Sequence, residues 1–238
     1  MISVAVAGSG GLVHSQQWRA PRRASRHLAP AVDAAVDFLG ISPGKLGGVA
    51  VVRGPGSFTG LRMTMAYGLG LARSSGLPMA GIDYLPLIAR GPAPLISGTL
   101  AVIVHSRMRE IYFQAFSCPD ARQLTPPSPL KIDSLPEILS GLAAPLHLVG
   151  SGIRRNRDFF SRELPNLSIL SDAWDEPSAE ILCRAAIEAE FRKDPPEPVY
   201  MRPSDAEENL DRIAALRGLD PKEAERRLRA ATHKSSKS

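Results

Sequence analysis

The run Arg53 to Arg62, R-G-P-G-S-F-T-G-L-R, constrains this chain more than any other stretch of it. An apolar β-branched run, Val49 to Val52, leads into it, and a helix-like stretch from Ser57 to about Arg73 leads out. Strand, glycine turn, helix is the layout that aims backbone N–H groups and a helix dipole at an anion. Gly54 and Gly56 open backbone angles closed to other residues, Pro55 stiffens the turn between them, and Ser57 or Thr59 is placed to cap the helix. No lysine follows Gly60, so the run is not a P-loop, and its glycine spacing, G-x-G-x-x-x-G, is not the dinucleotide fingerprint. Geometry alone favours a tight strand-to-helix turn with no ligand.

The string G-P-G-S-F-T-G-L-R, Gly54 to Arg62, resembles the TsaB (YeaZ) family, bacterial proteins that help make threonylcarbamoyladenosine in tRNA. Further segments follow in the family's order. Ile2 to Ala7 (I-S-V-A-V-A) looks like its second strand, and S-R-M-R-E-I-Y-F within Leu100–Phe116 is similar to its D-A-R-M-x-E-V-Y segment. Gly150-Ser151-Gly152 sits where the family has a G-x-G turn, and E-P-V-Y-M-R, Glu197 to Arg202, matches its P-x-Y-L-R. The likeness covers roughly residues 1 to 206.

The alternation of strands and helices reads as two similar halves. The first has strands at Ile2–Ala7, Leu12–Trp18, Val49–Val52 and near Met79, with helices at Ser25–Leu39, after the loop, and at Tyr84–Arg90. The second has a hairpin of Leu100–Val104 and Ile111–Phe116 and a weak strand at Leu130–Ile132. A helix at Ser134–Ser140 and a strand at Leu146–Val149 follow. A helix over Arg154–Glu163, a strand at Leu167–Leu170 and a helix over Ser178–Arg192 complete the half. This predicts an α/β chain of mixed sheets with helices packed on them. The boundary falls in Gly91-Pro92-Ala93-Pro94, giving subdomains 1–94 and 95–203 and a tail 204–238. The resemblance implies the duplicated actin-like ATPase fold. That fold opens each half with three strands, and the first half here shows two. The missing one is the central strand, and its absence costs the neighbouring strands a hydrogen-bond ladder and a layer of core. A start upstream of Met1, or a degenerate copy, is the expectation this raises.

Hydrophobic content of 44% supports a real core, and a net charge of +5 permits an acidic partner or RNA. Only 5% of residues are aromatic and none interleave with a basic stripe, which argues against a stacking surface for single-stranded RNA. Two cysteines, Cys118 and Cys183, and no export signal read as reduced thiols in the cytoplasm. No apolar run reaches the length that spans a membrane.

The five histidines, His14, His27, His105, His147 and His233, include no H-x-x-x-H pair, so no helix presents two imidazoles to a metal. His105 falls where the family usually has Asp, which removes a carboxylate from the cleft side. Asp33 and Asp37 mark the solvent side of the first helix, and no G-x-S-x-G elbow appears. No catalytic residue, metal site or cofactor is expected, and the resemblance leaves only weak nucleotide binding at a complex interface open.

Two helices carry a candidate partner face. In the first, Leu28, Ala31, Val32, Ala35 and Leu39 form one apolar stripe. In the second, Gly60, Thr64, Gly68 and Leu71 lie along one side with Tyr67 beside them. Each interior glycine costs the helix roughly 1 kcal/mol against alanine, and close approach of another helix offsets such a cost. Either both faces pack on their own sheet, or one meets a partner. The resemblance implies the latter: contact with a TsaD-like catalytic subunit or with a second copy, with a TsaE-like ATPase joining and tRNA met through the complex. The role implied is a non-catalytic scaffold. An actin-like ATPase or glycoprotease-like hydrolase is the alternative. Two basic clusters, Arg19–Arg26 and Arg154–Arg157, and a mixed-charge tail with Leu210, Ile213, Leu216 and Leu228 at helical spacing carry no assignment.

Overall fold

The computed structural model describes residues 2–18 and 24–202, and beyond them 214–216, 218, 220, 223 and 226. Met1–Val199 forms one compact unit, and Tyr200–Ser238 is a second. In the second, residues 214–216 are helical, with Ala214 buried and Leu216 exposed. Leu210, Ile213 and Leu228, like most of the basic segment before Arg26, lie outside the described residues.

The first half opens with β1 (Ile2–Gly8) and β2 (Gly11–Trp18), an antiparallel hairpin. Then come α1 (Ala24–Leu39), β3 (Val49–Gly54), α2 (Phe58–Ser75), β4 (Met79–Asp83) and α3 (Tyr84–Ala89). β3 and β4 pair in parallel, as their linking helix requires. These four strands make two separate two-stranded sheets.

The second half holds β5 (Gly98–Arg107), β6 (Glu110–Cys118), β7 (Arg122–Gln123), β8 (Ser128–Lys131), α4 (Leu135–Ser140) and β9 (Leu146–Val149). It continues with α5 (Ser151–Arg155), α6 (Arg157–Glu163), β10 (Ser168–Ile169) and α7 (Ala179–Glu188). All six strands join one mixed sheet in the order β10-β9-β5-β6-β7, with β8 also on β6. β5 is central, antiparallel to β6 and parallel to β9. Its Leu100–Ile103 are fully buried, because helices cover both faces and strands both edges. The main core lies on one side of this sheet, where Ile103, Ile111 and Phe113 meet Leu135, Ile153, Phe159 and Phe160.

Three expected elements differ. The helix expected over Arg154–Glu163 is two helices, broken at Asn156, whose φ of −128° is not helical. α7 stops at Glu188, and Arg192 turns back to exchange two 2.8 Å backbone hydrogen bonds with Met79. The 94/95 boundary divides the sequence, yet α7 packs back on β1 and β2 of the first half, inside the same compact unit.

Candidate functional site

The signature loop is built to place α2. Ser57 is its N-cap and its hydroxyl accepts from the Gly60 N–H at 3.4 Å, while the Ser57 carbonyl accepts from Leu61 N–H at 2.8 Å. Gly76, at φ +68°, closes the other end. Gly54, the last residue of β3, has φ +121°, and a Cβ there would lie 2.7 Å from the Val199 carbonyl oxygen. The Val199 N–H donates to the Arg53 carbonyl at 2.7 Å. Two motifs far apart in sequence, G-P-G-S-F-T-G and E-P-V-Y-M-R, thus meet backbone to backbone. Pro55 is buried, the Gly54–Pro55 bond is cis, and Leu61 fills the space beneath Gly54 and Gly56. Packing and hydrogen bonds within the chain account for the loop, with Thr59 exposed at its rim.

Arg53 lies across Gly81 and donates to both oxygens of Asp83, at 2.7 and 3.2 Å. The Arg62 guanidinium stacks 4.3 Å from the Phe58 ring centroid on the outer side of the first helical turn. Neither arginine points its charge at an empty cradle.

The two candidate helices pack side by side. Burial and the neighbouring Asp33 carboxylate of α1 push the Tyr67 phenol above its ordinary pKa. Of the expected partner face, Leu28, Ala31, Ala35 and Gly68 are buried within this chain, a correction to their placement on a surface. Gly68 in particular faces inward: a Cβ there would stand 2.7 Å from Val51 and 3.4 Å from Met79. The helix that comes close is α2 itself, onto its own strand β3. Val32, Leu39, Gly60, Thr64, Tyr67 and Leu71 are half-buried along the α1–α2 seam and its flanks, with Thr64 donating to the Gly60 carbonyl at 3.0 Å. The outward surface includes Arg26, His27, Pro30, Asp33, Ala34, Asp37 and Phe38 on α1, and Arg62, Ala66, Gly70, Arg73 and Ser74 on α2.

Two linkages give no sign of themselves in the sequence, because their partners are remote. Asp175, nearly buried, accepts from the Gly150 N–H at 2.9 Å and from Arg154 at 2.9 Å, anchoring the G-S-G turn. Arg154 of the second basic cluster is therefore structural. Gly150 and Gly152 let α5 sit on β5, since a Cβ at either would fall within 3 Å of the Ile103 carbonyl oxygen. Tyr84, at the start of α3, donates to Glu176 at 2.6 Å. Burial first, and the Glu176 carboxylate second, push its pKa well above the usual phenol value. Among the described residues no three metal-ligating side chains cluster, and no helix is long and apolar enough to cross a membrane.

With this geometry in place, comparison with known proteins gives a consistent likeness. Residues 11–119 match the family model for TsaD, tRNA N6-adenosine threonylcarbamoyltransferase. The Escherichia coli K12 tRNA threonylcarbamoyladenosine biosynthesis protein TsaB is 32% identical over 108 residues, 44% of this chain and 46% of that one. The Haemophilus influenzae TsaB is 30% identical over 112 residues, 47% of each. The chain thus spans about half the length of the curated relatives it matches. A Pseudomonas aeruginosa crystal structure, of an uncharacterized protein with similarity to peptidase YEAZ, superposes with a TM-score of 0.66 at 24% identity, over 84% of this chain and 94% of that one. The fold is α/β with mixed sheets, as the order of elements predicted, and is the actin-like one that the resemblance implied. By its loop, by the order of its motifs and by its fold, the chain resembles the TsaB (YeaZ) proteins.

Proposed function

We propose that this chain is a non-catalytic scaffold subunit in the synthesis of threonylcarbamoyladenosine in tRNA, working in the cytoplasm by binding and ordering a TsaD-like transferase. The observation that carries this reading is the signature loop. Its capping and glycines fix α2, and the outward side of that helix carries the small residues Ala66 and Gly70 between Arg62 and Arg73. Small residues flanked by guanidinium groups suit a partner helix with acidic flanks. A TsaE-like ATPase joins the pair, and tRNA is met through the complex.

The test is reconstitution with the TsaD-like protein of the same cell, followed by size exclusion with light scattering. A one-to-one complex is expected, with tRNA modification appearing only when this chain, TsaE and a threonylcarbamoyl donor are all present. Ala66→Arg is expected to abolish pairing while circular dichroism stays that of the folded monomer. Gly68→Arg does not serve, because its side chain would enter the β3 contact. Unchanged pairing in Ala66→Arg sinks the interface, and ATP turnover by this chain alone sinks the scaffold reading. A homodimer with no affinity for the transferase would do the same.

A further inference from the structure

A strand that ends a sheet offers a row of unpaired N–H and C=O groups. Folded proteins suppress the contacts this invites with proline, charge, short length or a covering segment. Several edges of this molecule are treated that way. β8 is four residues long, carries Pro129 and ends at Lys131. β7 and β10 are two residues each, and β7 begins at Arg122. On the side of β4 away from β3, Arg192 exchanges 2.8 Å backbone bonds with Met79, and Pro196 packs over Gly81.

β2 has none of these protections. It runs for eight residues, Gly11–Trp18, with no proline and no charged side chain. Residues 2–18 as a whole hold no Asp, Glu, Lys or Arg, in a chain that is 22% charged. β1 pairs with one side of β2, and among the described residues no strand or bridge pairs with the other. Apolar surface lies exposed on both faces of the strand. Phe38 of α1, 70% exposed, stacks on His14 at 5.0 Å, and the adjacent Val13 is 48% exposed. A bulge opposite Val6 and Ala7 limits the regular part of β2 to Val13–Trp18.

We propose that the free side of β2 is a self-association edge, where two copies of this chain pair antiparallel, β2 to β2, about a two-fold axis at Ser15. The pairing joins two hairpins into one sheet in the order β1-β2-β2-β1. A second copy fits because it brings the same uncharged edge. A two-fold axis then satisfies both rows of backbone groups at once and sets no like charges opposite each other, in a molecule whose net charge of +5 opposes contact between copies elsewhere. Residues opposite each other must share a face, so the axis passes through a residue, and Ser15 and Gln16 each pair five residues of the regular stretch. The Ser15 register sets His14 against Gln16 twice, side chains that already meet at 2.9 Å within one strand. It also makes the two His14 residues diagonal neighbours, about 7–8 Å apart, so the exposed Phe38 rings above them share burial. One strand pair and two rings belong to the small, transient class of interface, below about 1,200 Å², with a Kd on the order of 10–100 μM. The proposal stands apart from the scaffold reading, since β2 is no part of the Ala66 and Gly70 surface of α2.

The test uses the full chain. Sedimentation across concentrations that bracket this Kd is expected to show a monomer–dimer equilibrium, and hydrogen exchange in 11–18 to slow as the dimer forms. Ser15 is exposed, so substitutions there are expected to leave the monomer's urea midpoint unchanged and to separate folding from pairing. Ser15→Lys sets two ammonium groups opposite each other and is expected to weaken the dimer about tenfold or more, whereas Ser15→Thr keeps it. The register has its own readout, taken in a Cys118→Ser background. Ser15→Cys is expected to cross-link between copies under mild oxidation, because opposite Cβ atoms stand about 4.5–5.5 Å apart. Val13→Cys is expected not to, since the two sulfurs would start about 13 Å apart along the strands. A chain that stays monomeric throughout overturns the proposal, as does a dimer indifferent to Ser15→Lys, or Val13→Cys linking as readily as Ser15→Cys. Exchange in 11–18 that is slow at every concentration overturns it in favour of an edge that the chain covers by itself. Protection of 11–18 that appears only with the TsaD-like protein overturns it in favour of a different partner.

Discussion

Gly68 and Gly70 stand two residues apart on one helix and do opposite things. Gly68 has no room for a Cβ, because Val51 lies 2.7 Å from where it would be. Gly70 is exposed, with nothing within 4 Å of the same position. Alanine favours a helix interior over glycine by roughly 1 kcal/mol, while a forced contact in a packed layer costs about 1–3 kcal/mol. Gly70→Ala is therefore expected to raise the urea midpoint by the equivalent of about 1 kcal/mol, and Gly68→Ala to lower it. Equal shifts in both would mean that α2 does not sit on β3 as described. The pair also shows what hydropathy patterning misses at this scale. A glycine in the middle of an apolar stripe has no side chain to mark its face, so Gly68 read as part of an outward strip although Leu61 and Ala72, seven before and four after it, face the core.

At the scale of elements, the Tyr84–Glu176 bond joins the start of α3 to the segment that leads into α7. Because Tyr84's folded pKa lies above its unfolded value near 10.0, the fold favours the protonated phenol. Its contribution to stability is complete below pH 10 and is lost as pH rises beyond it. Tyr84→Phe is expected to cost about 1–2 kcal/mol at neutral pH and to flatten the fall in urea midpoint above pH 10. A fall of unchanged steepness would show that other groups set it. Strands and long helices were legible in the sequence because their periods are local: Leu146–Val149 lies where an apolar run predicted it, and Ser57 caps α2 as its position suggested. The ends set by tertiary partners were not. α7 stops early because Arg192 bonds to Met79, and nothing around residue 190 announces a partner so far away. The anchoring of Gly150 by Asp175 escaped notice for the same reason, and at sequence level Arg154 was only one of a basic cluster.

For the whole molecule, the first half depends on residues that come more than a hundred positions later. α7 roofs β1 to β4, Arg192 pairs with Met79, and Val199 closes on Arg53 and Gly54. A chain ending at Ser178 is expected to leave β1–β4 open to limited proteolysis while β5, β6 and β9 stay protected. Equal resistance of the two regions would show that the first half stands without its roof. The hydrogen bond between Arg53 and Val199 then has a consequence for the order of events in the cell. As the polypeptide emerges from the ribosome, the loop at residues 53–62 waits for residue 199, on the order of ten seconds at roughly 5–20 residues per second. During that interval the apolar faces of β3 and α2 have no final cover, so this chain is one whose nascent form calls for a chaperone at its amino-terminal half.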